Sequence, residues 1–337
     1  MNLPDTMRAA VLGEYKDEIE LEVTEIPVPR PGPGQVLLRM LRTNINPSDL
    51  SFMHGQYGFR KPLPTVPGFE GSGLVVASGG GLLGRYLRGK RVSTAARPQG
   101  SGTFAEYMLA DAGSCIPLLN SVSDEQGAAL IVNPLTAWAM LNDIVLKGGA
   151  KAVVQTAAAG ALGRMIQRLG TRLGLRVVNI VRRPEQVAAL KQIGAGIVLD
   201  SSDAQFESTL RHVAREADAT VALDAVSGEM SATLLSNMPA NSRVVVYGGL
   251  SGEAVPVQTG MLIFGGQQLE GFWLSRWIAG QRGWSMIRLA RRIQKMLAGD
   301  LRTEVREVVP LSEASRAVRS YQQDMSAGKM LIDCTAA

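Results

Sequence analysis

From Lys151 to Gly248 the chain alternates short apolar runs with stretches of helical spacing, and no other feature limits its fold as strongly. "KAVVQTA" (151–157), "LRVVNIV" (175–181), "GIVLD" (196–200), "TVALDAV" (220–226) and "SRVVVYG" (242–248) each read as a short buried strand. Between the first two, Leu162, Met165, Ile166, Leu169 and Leu173 recur at helical spacing, and Gly174 stops the helix. Pro184 opens the next helix, "PEQVAALKQIGA", and two more are expected over 203–217 and 228–237. Such alternation builds right-handed βαβ units, a parallel sheet with helices on both faces.

The first third has a different texture. "GQVLLRMLRT", "GSGLVVASGG", "GKRVSTA" and "GTFAEYMLA" are short strands separated by turn residues, which predicts a β-rich domain. At Ser123 the pattern becomes helical, with Ser123 as N-cap and Gln126 at capping-box spacing. Pro134 predicts a break or kink inside that helical pattern. The C-terminal part returns to mixed helix and strand and ends in "GKMLIDC". A length of 337 residues favours two domains over one.

Composition removes several classes. With 46% apolar and 19% charged residues the chain can bury a full core. No apolar run reaches the roughly 18 residues that span a bilayer, and the N-terminus shows no signal-peptide core, so no membrane partner and a cytoplasmic location are expected. Cys115 and Cys334 are the only cysteines, which excludes a disulfide framework and a four-cysteine zinc site. The net charge of +5 comes from scattered residues, and the densest cluster, "RLARRIQK", reads as a solvated helix face; no nucleic-acid partner is expected.

The segment joining the first strand of the alternating run to its helix, "QTAAAGALGRM" (155–165), is rich in small residues. Such a turn lets backbone N–H groups approach a pyrophosphate at the helix N-terminus. Of the G-x-G-x-x-G pattern, Gly160 and Gly163 are present, and Ala158 stands at the first position. Tight strand-to-helix packing would explain the turn alone; its place at the head of a βα run points to dinucleotide binding. An NAD-binding unit carries Asp or Glu about 20 residues further on, for the ribose hydroxyls. Here Arg182 and Arg183 lie 19 and 20 residues past Gly163. Guanidinium groups hold a 2′-phosphate with charge-assisted bonds where an acid would repel it. The pair favours NADP(H), with two solvated surface arginines as the alternative.

In order along the chain stand "GQVLLRMLRTNINPSDL", "PTVPGFEGSGLVV", "GTFAEY", "AAAGALG", "VVVYGG" and "GKMLI". Through them the chain resembles the medium-chain dehydrogenase/reductase superfamily, in its zinc-independent branch of quinone reductases and enoyl thioester reductases. "NINPSDLSFMHGQYG", "VNPLTAW", "VVNIVRR", "VYGGL" and "GFWLS" look most like the mitochondrial-type 2-enoyl thioester reductases. The resemblance implies a homodimer of α/β chains with NADPH as cofactor. It also implies a GroES-like β-rich catalytic domain (1–122 and 276–337) around a Rossmann-type doubly wound domain (123–275). By the same resemblance Tyr57 is the catalytic tyrosine, and Asn133 lies beside the nicotinamide. Ala159, Gly160, Ala161, Leu162 and Gly163 form the pyrophosphate turn, with Arg182 and Arg183 at the 2′-phosphate. Tyr247, Gly248 and Gly249 form a second cofactor loop, and Phe272, Trp273 and Leu274 a third. Asn46 and Lys329 are counted among the cofactor contacts. The turn departs from the Asn-Ser-Gly run of the thioester reductases, having Ala159-Gly160-Ala161 as in the quinone reductases. The phosphate grip also lacks the thioester reductases' Arg-Asp-Arg pattern.

Zinc-dependent relatives use a cysteine and a histidine where this chain has Asn46 and Phe69. Neither is a serviceable zinc ligand, and His54 and His212 have no partners at metal-ligand spacing, so no metal is expected. Without one, reduction of an activated C=C bond is the less demanding chemistry: hydride reaches the β-carbon and charge builds on the conjugated oxygen. A phenol, with an ordinary pKa of about 10, donates to that oxygen at neutral pH without prior activation. From the residues alone, Tyr57 as donor and Tyr57 as a packing residue stand level. Asn133 likewise fits either a cofactor contact or a cap at the helix kink, and Lys329 either a ligand contact or a solvated lysine. The expected activity is NADPH-dependent reduction of an α,β-unsaturated carbonyl or thioester. The alternatives are an NADPH:quinone oxidoreductase and a non-catalytic, structural or RNA-binding, NADPH-binding protein. The run "LIFGGQQLEGFWLSRW" is expected to present an apolar edge to a second copy.

Overall fold

In a computed structural model, which describes residues 3–336, the chain forms two compact units. The first takes residues up to 132, 287–297 and from 302 onward; the second takes 133–286 and 298–301.

The first unit is built on a seven-stranded sheet centred on the strand Gln35–Asn44. One edge of that strand pairs antiparallel with Glu70–Ser78. The other is shared, by Tyr107–Asp111 against Gln35–Arg39 and by Lys329–Asp333 against Arg42–Asn44. Beyond Lys329–Asp333 lies Val305–Pro310, in parallel; beyond Glu70–Ser78 lie Arg91–Ala95 and Ile116–Pro117. Two glycines let the central pair approach. A Cβ on Gly71 would lie 2.9 Å from the Arg42 carbonyl oxygen, and one on Gly73 2.9 Å from that of Arg39. The inward faces bury Leu37, Leu38, Met40, Phe52 and Phe104.

Ser123 caps the helix Asp124–Ala128 as expected, accepting the Gln126 N–H at 3.3 Å. The Gln126 side chain does not return to the cap; it pairs with the backbone of Thr303 in both directions, at 2.9 and 3.0 Å. Ser72 Oγ donates to the Asp124 carbonyl at 2.8 Å and Arg91 pairs with the Asp124 carboxylate at 2.7 Å. These bonds hold residues 124–128 to the first unit. The break expected at Pro134 comes earlier, at residues 129–131. Pro134 is the third residue of a new helix, Val132–Ala139, where the N–H it lacks has no intrahelical acceptor. A π-helical stretch, Met140–Leu146, follows.

The second unit carries a six-stranded sheet in which every pairing is parallel. Across it run Ile197–Asp200, Arg176–Val181, Ala152–Gln155, Val221–Asp224, Arg243–Val246 and Gln268–Gly271. Numbered along the chain this order is 3-2-1-4-5-6, the doubly wound arrangement, and the order reverses between Ala152–Gln155 and Val221–Asp224. The helices fall where the apolar spacing placed them: Ala161–Arg172 ends at Gly174, whose φ is 77°, and Pro184–Gln192 has its proline in the first turn.

Candidate active site

Five groups of residues proposed from sequence fall in the second unit, and four of them directly follow the carboxyl ends of parallel strands. Ala159–Gly163 follow Ala152–Gln155; Arg182 and Arg183 follow Arg176–Val181; Tyr247–Gly249 follow Arg243–Val246; Phe272–Leu274 follow Gln268–Gly271. This is the edge of a doubly wound sheet where ligands bind.

The turn is tightly built. Ala157 adopts φ 48°, the left-handed region, and Gly160 caps the helix Ala161–Arg172. A Cβ on Gly163 would lie 2.5 Å from the Ala158 carbonyl oxygen, so only glycine lets the helix lie this close to the turn. Gln155 Nε2 donates to the Gly163 carbonyl at 2.9 Å and to Asn179 Oδ1 at 2.7 Å, fixing the helix start from below. The first N–H groups of this helix have no intrahelical acceptor and carry its positive dipole end. Gly248 is required as well: a Cβ there would meet the Ala225 carbonyl oxygen at 2.7 Å. Arg182 is exposed, and Arg183 pairs with Glu185 at 3.2 Å. Asn133, buried at 6% exposure, has no side-chain partner among the described residues, leaving its amide for a ligand. These features fit a dinucleotide phosphate.

Sequence reasoning missed the cluster at the switch point. Thr156 Oγ1 donates to Asp224 Oδ1 at 2.6 Å and Ser231 Oγ to Asp224 Oδ2 at 2.5 Å, while the N–H groups of Val226 and Ser227 reach the same carboxylate. Asp224 is fully buried and ties the two strands flanking the switch point to the loop beyond. Its signal is a lone acid within the apolar run "TVALDAV", whose strand ends at Asp224.

In the first unit, Tyr57 stands on an aromatic wall. Its ring centre lies 4.9 Å from that of Phe69 and 5.2 Å from that of Phe59, and Phe52 packs on both phenylalanines at 5.6 and 5.9 Å. His54 lies at the end of the helix Pro47–Met53, its Nδ1 3.1 Å from the Lys16 carbonyl oxygen. His212 is on the exposed face of the helix Phe206–Glu216. Among the described residues no group of three His, Cys, Asp or Glu could hold a metal ion.

Asn46 and Lys329 do come together, but inside the unit. They are 0% and 1% exposed. The Lys329 ammonium donates to the Ile45 carbonyl at 2.7 Å, Asn46 Oδ1 at 2.5 Å and the Tyr321 hydroxyl at 3.0 Å, which engages all three of its N–H bonds. Asn46 Nδ2 donates to Glu70 Oε1 at 2.8 Å. The resemblance counts both among the cofactor contacts; the structure engages their polar atoms within the unit, because Lys329 opens a strand paired on both sides. Glu70 also accepts from Asn44 at 2.9 Å and from the N–H groups of Ile131 and Val132 at 3.0 and 2.9 Å. Asp49 accepts the Asn46 N–H at 2.7 Å, completing the cap signalled by Asn46, Pro47 and Asp49 in "NPSD". Burial pushes the Asp49 carboxyl up to about 7 and the Glu70 carboxyl upward, and lowers Lys329 to about 8 against the opposing pull of the two carboxylates.

Comparison with known proteins agrees with this geometry. Residues 32–120 match the family model of the alcohol dehydrogenase GroES-like domain, and residues 161–290 that of the zinc-binding dehydrogenase. The human mitochondrial enoyl-[acyl-carrier-protein] reductase is 32% identical over 285 residues, which are 81% of this chain and 74% of that protein. A solved structure from Mesorhizobium loti, described as an NADPH:quinone reductase, superposes with a TM-score of 0.91 at 40% identity, covering 99% of this chain and 100% of that one. A mycobacterial structure solved in complex with NADPH gives a TM-score of 0.82 at 25% identity, covering 97% of this chain and 99% of that one.

The buried cluster predicts a pH dependence. Asp49 has an ordinary pKa of 3.8 and one of about 7 in the fold, so the folded protein retains a proton that the unfolded chain releases. Its contribution is full at low pH and is lost as pH rises through about 7. Asp49→Asn keeps the acceptor for the Asn46 N–H and removes the titration. Urea unfolding at pH 5 and pH 8 is expected to show the unmodified chain losing more stability than the variant over that interval; equal losses would reject the assignment.

Proposed function

The chain belongs to the medium-chain dehydrogenase/reductase superfamily, in its quinone and enoyl reductase branch, and we propose that it is an NADPH-dependent reductase of the activated C=C bond of an α,β-unsaturated carbonyl compound or thioester, working without a metal. One observation carries the reading. Phe69, at the position where zinc-dependent relatives place a ligand, packs its ring on Tyr57. A polar phenol packed beside that position supports a hydrogen-bond donor to the substrate in place of a metal.

NADPH, when bound, supplies the hydride. The N–H groups at the start of Ala161–Arg172 hold the pyrophosphate, Arg182 and Arg183 the 2′-phosphate, and the Asn133 amide the nicotinamide end. As charge develops on the conjugated oxygen, the Tyr57 hydroxyl donates to it. The rings of Phe59 and Phe69, packed on Tyr57, hold the phenol in place for that bond.

Quinone reduction is the second reading. It is favoured by Ala159-Gly160-Ala161 in the turn and by the 40% identity to the Mesorhizobium loti protein. We also propose a homodimer formed along the edge strand Gln268–Gly271. This strand ends the six-stranded sheet, and Ile263 and Phe264 are 66% and 88% exposed nearby in sequence. Sedimentation equilibrium is expected to give twice the chain mass of 36.0 kDa, and a clean monomer would refute the dimer.

Purified protein with NADPH and, separately, 2-enoyl thioesters, enones and quinones decides the substrate class. Turnover of thioesters or enones above quinones is expected, and quinone turnover alone would establish the second reading. NADPH binding with no turnover of any of the three would leave a binding protein. Tyr57→Phe is expected to lower kcat for enoyl reduction by roughly 100-fold, and an unchanged kcat would remove the phenol from the chemistry. Replacing Arg182 and Arg183 by alanine is expected to raise KM for NADPH by about 10-fold or more while leaving KM for NADH nearly unchanged. Equal changes for both cofactors would show that the pair does not read the 2′-phosphate.

A further inference from the structure

Two stretches of this chain contain no Asp or Glu: residues 71–105, with five Lys or Arg, and residues 271–299, with six. Parts of both lie in the first unit. Arg291, exposed on the helix Gly283–Met296, acts electrostatically on Tyr86 of the helix Leu82–Leu87. The other charge acting on Tyr86 is that of Lys90, whose ammonium lies 3.2 Å from the ring centre; no carboxylate is among them.

The short helix is held firmly from below. Leu87 is fully buried, and a Cβ on Gly84 would lie 2.3 Å from Ser78 Oγ. Just before it, Gly79 packs so closely that a Cβ would lie 1.9 Å from the Gly32 carbonyl oxygen. On the outward side Leu82 is 88% exposed, Tyr86 57% and Leu83 47%, with Arg85 and Arg88 exposed beside them. Ile287, on the helix that carries Arg291, is 59% exposed. Isolated exposed apolar residues are ordinary; two adjacent leucines and a tyrosine on one fixed turn, among cations with no carboxylate partner among the described residues, are not.

The shape selects the partner. A leucine at this exposure stands proud of the surface and offers no groove to a helix or peptide. An apolar tip with a basic rim matches the interfacial region of a bilayer, where the tip enters among the headgroups and the cations meet anionic lipid. No helix among the described residues is long and apolar enough to cross a membrane, so the contact is with the surface alone. We propose that this face, with Leu82, Leu83 and Tyr86 as its tip and Arg85, Arg88, Lys90 and Arg291 as its rim, seats the protein on an anionic lipid surface. The expectation of no membrane partner rested on spanning segments and on the N-terminus, neither of which bears on this mode of attachment.

Flotation of the full chain with vesicles tests it. The protein is expected to float with phosphatidylcholine–phosphatidylglycerol vesicles at low salt, to remain behind with phosphatidylcholine alone, and to be released by high salt. Arg85→Gln combined with Arg88→Gln is expected to lower the partition coefficient roughly 30-fold, at about fivefold per cation. Leu82→Gln with Leu83→Gln is expected to lower it as well, and NADPH binding should be retained in both variants as a check on folding. Failure to float with the mixed vesicles at low salt, or equal flotation of all variants, would overturn the proposal. Patch-dependent capture by a purified acidic carrier protein, without vesicle binding, would also overturn it and assign the face to a protein.

Discussion

A single ammonium group, that of Lys329, joins the last strand of the first unit to the segment that carries Tyr57. Sealed from solvent, it bonds the backbone at Ile45, the side chain of Asn46 and the hydroxyl of Tyr321. A buried cation persists only where its donors are matched and opposite charge is near, and Glu70 supplies that charge, joined by Asp49 once it ionises. Asn46 in turn caps the helix Pro47–Met53, and Tyr57 stands four residues beyond the end of that helix. The position of the phenol therefore depends on a group at the far end of the chain.

The strands and helices of the second unit were legible because each is bounded by a residue whose backbone preference is local. Gly174 ends one helix, Pro184 begins another, and the strands between them are short apolar runs. The small-residue turn at 159–163 and the arginine pair could be singled out for the same reason, since each is defined by spacing along the chain. The Lys329 cluster was not, because its partners are separated by 283 residues and only the folded sheet brings them together. Lys329 was singled out, but nothing local distinguishes a lysine that meets a ligand from one that braces a helix. Asp224 was missed as a single polar residue at a strand end. Pro134 misled by one turn: a proline is as acceptable near the start of a helix as at its break, and the break had already occurred at residues 129–131.

The residues at the positions of zinc ligands show how the first unit is organised. Asn46 is neutral and turned into the charge cluster, whereas Phe69 faces Tyr57 and the other aromatic rings. Glu70, next to Phe69, is fully buried and accepts four hydrogen bonds, two of them from the backbone at residues 131 and 132. Three neighbouring functions of the unit thus fall on consecutive or nearly consecutive residues. An apolar wall, a charge cluster and an anchor for the chain leaving the unit all meet at the start of the strand Glu70–Ser78.

The place of Lys329–Asp333 in its sheet also orders events in time. This strand lies between Gln35–Asn44 and Val305–Pro310 and is made long after the strand Gln35–Asn44. The second unit, drawn mainly from the continuous run 133–286, has all six of its strands well before then. The first unit must hold an unfinished sheet edge at Arg42–Asn44 while nearly 300 further residues are made, and close a very long loop at the end. Until then that edge is an exposed pairing surface, and the chain is vulnerable to mispairing there after its nucleotide-binding half is already complete.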